Sequence, residues 1–160
     1  MIDIEEILAL DLLTLCEHTE HAGDTLDPGT HRQALEKSMQ ISEVVAVRRQ
    51  DELVAYAMLH AQKDACRFVT AFNTPPALRT APPMRELLAG VVEVARRRRI
   101  AALRSNVYKT NQLSMGFHRR LGFRIMRENA KGVEFHATLK DLALNPIVGK
   151  HIKELTPCRG

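Results

Sequence analysis

A chain of 160 residues, 45% apolar and 26% charged, is long enough for one domain with a real core, too short for two, and too apolar for disorder. Its net charge of +4 hides a split, −8 over residues 1–43 against +10 over residues 79–127; the basic stretch suits a polyanion such as a phosphorylated cofactor, an acidic carrier protein or nucleic acid. The longest strong apolar run, Leu53 to Leu59, is far short of a bilayer crossing, the start at Asp3, Glu5 and Glu6 is acidic where a secretory signal is basic, and Cys16, Cys66 and Cys158 have neither disulfide nor zinc spacing, which together point to a reducing cytoplasm, no membrane and no metal.

Ile4, Ile7, Leu8, Leu12 and Leu15 recur at helical spacing, which predicts an amphipathic helix over residues 3–20. Asp27-Pro28-Gly29 punctuates a turn, and Thr30 is expected to cap a second helix running to about Met39. Val44 to Val47, Leu53 to His60 and Ala65 to Asn73 read as three strands, the first two joined by a tight turn at Gln50-Asp51-Glu52. The four prolines between Thr74 and Pro83 predict irregular structure. Met84, Leu87, Leu88, Val91, Val92 and Ala95 then mark one face of a helix ending at Arg96 to Arg99, where the helix dipole favours arginine. Ile100 to Val107 reads as a fourth strand, Asn111 to Arg120 as a helix stopped near Gly122, and Phe123 to Arg127 and Val133 to Leu139 as two final strands. The expected fold is therefore α/β (α+β), a mixed, mostly antiparallel sheet with helices on both faces in the order α-α-β-β-β-α-β-α-β-β. It occupies residues 1–140 as one domain, with 141–160 an extension of unassigned role.

Asn111-Gln112-Leu113-Ser114-Met115-Gly116-Phe117-His118-Arg119-Arg120-Leu121-Gly122-Phe123, set after strand and helix in this order, resembles a motif of the GNAT family, the acyl-CoA-dependent N-acetyltransferases. Asn111, Ser114, Phe117, Gly122 and Phe123 fall on the family pattern, and Val107 sits where its preceding strand has a Val. The resemblance covers roughly residues 41–139; the family's first strand is at most Met1 to Ile4 here. A second family motif, the pyrophosphate loop, is matched at Pro76 and Arg79, while Pro82 and Met84 stand where small glycines are expected. Proline donates no N–H, so Pro82 and Pro83 remove donors from a loop meant to cradle phosphate, and Met84 adds a side chain where phosphates approach. Arg79 and Arg85 can supply charge in place of the lost amides.

The resemblance implies a wedge between two splayed parallel strands ending near Asn73 and Val107, holding acetyl-CoA or another acyl-CoA as co-substrate. Backbone groups at Phe72, Asn73 and Thr74 would hold the pantetheine arm, Arg79, Thr80, Ala81, Met84 and Arg85 would meet the phosphates, and Asn111 and Ser114 would complete the cofactor site. The family's general base, a Glu five residues before the motif Asn, is Asn106 here, and its acidic Tyr is His118, which makes His118 the candidate acid. His60, His136, Glu134 and Glu43 are further base candidates, each also explained as an exposed polar residue; Tyr108, just after the fourth strand, is a candidate neighbour of the acyl site that is better explained without one, and Cys66 reads as a buried thiol with nothing local to activate it. The implied activity is direct transfer of an acetyl or acyl group from a CoA thioester to a small-molecule or protein amine. Two alternatives stay open on the same fold: acyl-carrier protein as donor, and a catalytically silent binding or regulatory module. A homodimer also stays open. Nucleic acid is disfavoured, because aromatics are 4% of the chain and no stacking motif interleaves with the arginines.

Overall fold

The computed structural model describes residues 2–21, 23–62, 65–78 and 81–146. Two helices, α1 (Ile4–His21) and α2 (Pro28–Ile41), precede strands β1 (Ser42–Arg49), β2 (Glu52–Ala61) and β3 (Cys66–Asn73); α3 (Ala81–Arg97), β4 (Ala102–Tyr108), α4 (Gln112–Leu121), β5 (Arg124–Glu128), β6 (Gly132–Thr138) and a short α5 (Leu139–Ala143) come after them. The six strands lie in the order β1-β2-β3-β4-β6-β5. All neighbours are antiparallel except β3 and β4, which are parallel and joined by the α3 crossover.

Local chemistry explains the element ends, and in two places it corrects the sequence expectation. Helix α2 is capped by Asp27, not by Thr30: the Asp27 carboxylate accepts from the Thr30 N–H at 2.8 Å, and Pro28 occupies the first turn, where no N–H is needed. The same tolerance lets α3 begin at Ala81 and run through Pro82 and Pro83, while Pro76 to Leu78 form a 3₁₀ turn, so much of the proline-rich stretch is regular. Past Thr138, whose side chain caps α5, Leu142 is 4% exposed within the main core and the Asn145 amide donates to the Arg120 carbonyl. The β1–β2 turn is made by Gln50 and Asp51, both at positive φ (50° and 66°).

The sheet separates two cores. On one face, Leu87, Leu88, Val91, Val92 and Ala95 of α3 pack with Met115 and Leu121 of α4 onto Val47, Ala57, Val69, Leu103, Val107, Val133 and Phe135. Gly90 brings α3 close to β1, since a Cβ there would overlap the Val45 side chain. On the other face, Ile7 and Leu10 of α1 and Leu35 of α2 cover Leu53, Tyr56 and Met58. A paired Arg48–Glu6 fork ties α1 to β1 at 2.9 and 2.6 Å, and this hydrogen-bonded guanidinium holds the Glu6 carboxyl down at about 2. The basic run after residue 79 is partly neutralised inside the fold: Arg96 pairs with Glu93, Arg97 and Arg98 with Glu43, and Arg104 with Glu134.

Candidate active site

The site begins with one extra residue in β3. Met58 of β2 faces Ala71, but the next residue, Leu59, faces Val69, so Thr70 is bulged out of register. Because side chains alternate, the bulge reverses the faces of the residues after it: Phe72 turns to the α3–α4 core, while Ala71 and Asn73 turn to α1. Parallel pairing with β4 stops at the same place. It runs from Cys66–Ala102 to Val69–Ser105 and no further, although β3 stays paired to β2 through Asn73 and β4 to β6 through Tyr108. The two strands thus fork beyond Val69 and Ser105, leaving facing backbone edges without a partner strand.

A cleft of about 250 Å³ opens at this fork, lined by Phe72 and Asn73 from β3 and Thr74 just after it, Thr14 and Leu15 from α1, Met84 from α3, and Asn111, Leu113, Ser114, Phe117, His118 and Arg120 from the start and body of α4. Of the residues picked out from the sequence, Phe72, Asn73, Thr74, Met84, Asn111, Ser114 and His118 therefore share one space. Arg85 is exposed beside Met84 in the first turn of α3. Arg79 and Thr80 lie outside the described residues, as does the Ala81 side chain. Asn111 is the N-cap of α4: its side-chain oxygen accepts from the Ser114 N–H at 3.1 Å, which fixes the helix N-terminus against the fork. Gly122, at φ 99°, ends the same helix.

His118 is 7% exposed and stacked on Phe135, with ring centroids 4.9 Å apart and 14° between planes. Its Nδ1 lies 2.8 Å from the Ser114 carbonyl, which can only accept, so Nδ1 carries the ring proton; Nε2, 3.0 Å from the Ser105 hydroxyl, accepts. Burial holds its pKa below the ordinary histidine value, against the opposing Ser114 hydrogen bond. The ring is neutral and both nitrogens are engaged, so it faces the cleft as a fixed wall.

Apart from Asn73, the polar wall is made of residues that the sequence does not single out. Asp11, 1% exposed, accepts from the Tyr56 hydroxyl (2.5 Å) and the Asn73 amide (2.9 Å) on Oδ1 and from His31 Nε2 (2.7 Å) on Oδ2. The same Asn73 nitrogen reaches the Thr14 hydroxyl at 2.5 Å. Burial and the adjacent Asp11 charge drive the Tyr56 hydroxyl's pKa upward, so it stays a donor. The sequence carries a signal for this wall: Asp11 and Thr14 fall on the apolar stripe of α1, spaced from Ile4 and Ile7 as a further turn would be.

The remaining candidates lie elsewhere. Glu43 is held by Arg97 and Arg98 on β1, and His60 is near the end of β2. Cys66 is buried opposite Ala102, at the far end of the paired stretch from the fork. Asn106, Glu134 and His136 sit on the face of β4 and β6 away from α3 and α4, where Arg104 and Arg127 pair with Glu134. Tyr108 donates to Asp24 at 3.0 Å, and burial and that carboxylate raise its pKa. Among the described residues, no carboxylate lines the cleft and no three His, Cys, Asp or Glu side chains cluster as metal ligands; no helix is long and apolar enough to cross a membrane.

No curated protein matches the chain. Its backbone superposes on the PaiA N-acetyltransferase of Thermoplasma acidophilum in complex with coenzyme A, with TM-score 0.69 and 11% identity over 85% of this chain and 92% of that one. It is also similar to a ribosomal-protein-alanine N-acetyltransferase of Brucella melitensis (TM-score 0.60, 21% identity, 86% and 94% covered). A third likeness is a GNAT acetyltransferase of Elizabethkingia anophelis with acetyl-CoA bound (TM-score 0.57, 12% identity, 67% and 82% covered). These identities speak for the fold alone. The profile of the Acetyltransferase (GNAT) family matches residues 9–123, which span α1 to the end of the α4 motif and enclose the fork. On the sequence match and the six-stranded forked sheet together, the chain belongs to the GNAT acetyltransferase family.

Proposed function

We propose that the protein transfers an acyl group from a coenzyme A thioester directly to an amine. The observation that carries this reading is the fork between β3 and β4, whose unpaired edges at Phe72 to Thr74 can hydrogen-bond an amide-bearing pantetheine arm like an added strand. Asn111 and the α4 N-terminus would border that arm, and the exposed Arg85 with the cleft residue Arg120 would meet the phosphates. The amine nitrogen attacks the thioester carbonyl carbon, the C–S bond breaks, and an amide forms. The thiolate takes up one proton and the amine gives one up. A thiol of ordinary pKa, about 8.5, leaves without a strong acid. His118, read from the sequence as that acid, serves here chiefly to hold the cleft wall and Ser105 in place. With no carboxylate among the described residues that line the cleft, the amine is taken up in its unprotonated form.

A thiol-release assay with acetyl-CoA and a panel of primary amines tests this. The expected result is release that rises with pH up to the amine's own pKa, without a bend near the histidine range, together with a thermal shift on adding coenzyme A. Neither shift nor release with any CoA thioester refutes it; a shift without release identifies a silent binding module. One feature favours an acyl-carrier protein as the alternative donor. The first turn of α3 holds Pro82 and Pro83, neither of which offers an amide to a pyrophosphate. Running the carrier-bound donor in parallel separates the two, since it brings pantetheine and acidic surface but no nucleotide.

A further inference from the structure

Behind the cleft lies a second space, inside the core between α3, α4 and the sheet. It holds about 40 Å³ and is walled by Leu88, Val91, Val92, Leu103, Leu121 and Leu142, among others. Phe72, Phe117 and His118 line both spaces, and the Phe72 and Phe117 rings, 5.5 Å between centroids, form the partition. Both rings are only half-buried. The opposite wall is of another kind: Thr14 and Asn73 are cross-tied to the buried Asp11, which Tyr56 and His31 hold in turn. One side of the cleft is therefore polar and fixed, and the other is aromatic with apolar space behind it.

An acetyl group needs neither wall. A longer chain gains by leaving water for apolar surface, and Thr14 and Asn73 offer it none. We propose that the space behind Phe72 and Phe117 is an acyl-tail pocket, entered as the Phe117 ring swings aside, and that it adapts the site to short-chain acyl donors longer than acetyl. Water is a poor occupant, because His118 is the one polar side chain on the lining and its nitrogens are already engaged. A space of 40 Å³ takes about three methylene-sized groups on the water-sized scale, which points to chains of roughly four or five carbons.

This inference rests on the fork being the donor site, so binding and turnover are read separately. Acetyl-, butyryl-, hexanoyl- and octanoyl-CoA are compared on the wild type, on Val92→Phe, which fills the space, and on Leu121→Ala, which enlarges it. Calorimetry should show butyryl-CoA binding more tightly than acetyl-CoA, a preference that Val92→Phe abolishes. The butyryl-to-acetyl ratio of kcat/KM should fall at least tenfold in Val92→Phe, and Leu121→Ala should raise the hexanoyl-to-butyryl ratio. If all thioesters bind alike in the wild type, or if neither substitution moves these ratios, the acyl-tail pocket is wrong while the donor site stands. If no CoA thioester binds to any of the three proteins, the donor site itself falls, and the pocket with it.

Discussion

Replacing Asp11 by alanine should be among the costliest single changes in the protein, and its cost should collapse when Tyr56 is changed too. The carboxylate is buried and accepts from three donors, and Tyr56 is completely buried, so its hydroxyl has no water to turn to. Asp11→Ala strands that hydroxyl, weakens the tie on Asn73 and leaves His31 without its acceptor. A buried donor left without its partner costs about 1–3 kcal/mol, so the stranded Tyr56 hydroxyl and the loosened Asn73 amide together suggest a loss of about 4 kcal/mol. Tyr56→Phe alone removes one hydrogen bond to a charged acceptor, worth about 1.5–3 kcal/mol. In the Asp11→Ala background the same change removes an orphaned hydroxyl, so it should be neutral or stabilising. The coupling energy is then about 2 kcal/mol or more, read from urea unfolding at neutral pH with m values held constant. If the two losses simply add to within about 0.5 kcal/mol, the carboxylate and the hydroxyl are not energetically linked, and the rigid polar wall assigned to the cleft is wrong.

Two further outcomes rest on single residues. His118 has a folded-state pKa below its unfolded value of about 6.5, so the unfolded chain binds a proton that the folded one does not. Its contribution to stability is complete above that pH and is lost as pH falls toward the folded value; His118→Gln, neutral throughout, should flatten the dependence of unfolding free energy between about pH 7.5 and 5.5, and parallel slopes would remove the basis for a neutral buried ring. Gly90→Ala should destabilise by about 1–2 kcal/mol although alanine is the better helix former, because the added methyl collides with Val45. In a Val45→Ala background the sign should reverse, and thermal melts of the four proteins would show it; a Gly90→Ala protein that melts higher on its own contradicts the close α3–β1 approach.

Much of the architecture is written in local patterns. Helical spacing over Ile4 to Leu15, the continuous apolar run of β2, the Asn111 cap and the Gly122 stop all depend on neighbours in sequence, so element order and the α4 motif can be read directly. The features that local patterns hide depend on competition or on partners far away. Asp27 outcompetes Thr30 as a cap because Pro28 suits the first helical position, a contest that one candidate alone does not reveal. Asp11 and Thr14 interrupt an apolar stripe, yet their meaning depends on Tyr56, Asn73 and His31, three residues from three other elements. His118 is legible as a substitution in a motif, but its neutral state comes from Ser105, Ser114 and Phe135 closing around it.

The bulge at Thr70 is the smallest feature with the largest consequence for the site. Without it, strict alternation from Val69 would put Ala71 and Asn73 toward the α3–α4 core and Phe72 toward α1. The amide that reaches Asp11 and Thr14 would then be buried among leucines and valines, and the ring that meets Phe117 would lie against a carboxylate. An unpaired amide in an apolar core costs a few kcal/mol, of the order of 2 to 7 depending on the reference state, so Phe72-Asn73 is compatible with the fold only when one residue is looped out before it. That same extra residue bends β3 where its pairing with β4 ends. The polar wall, the aromatic partition and the fork are thus three results of a single shift in register, which is why they meet at one place.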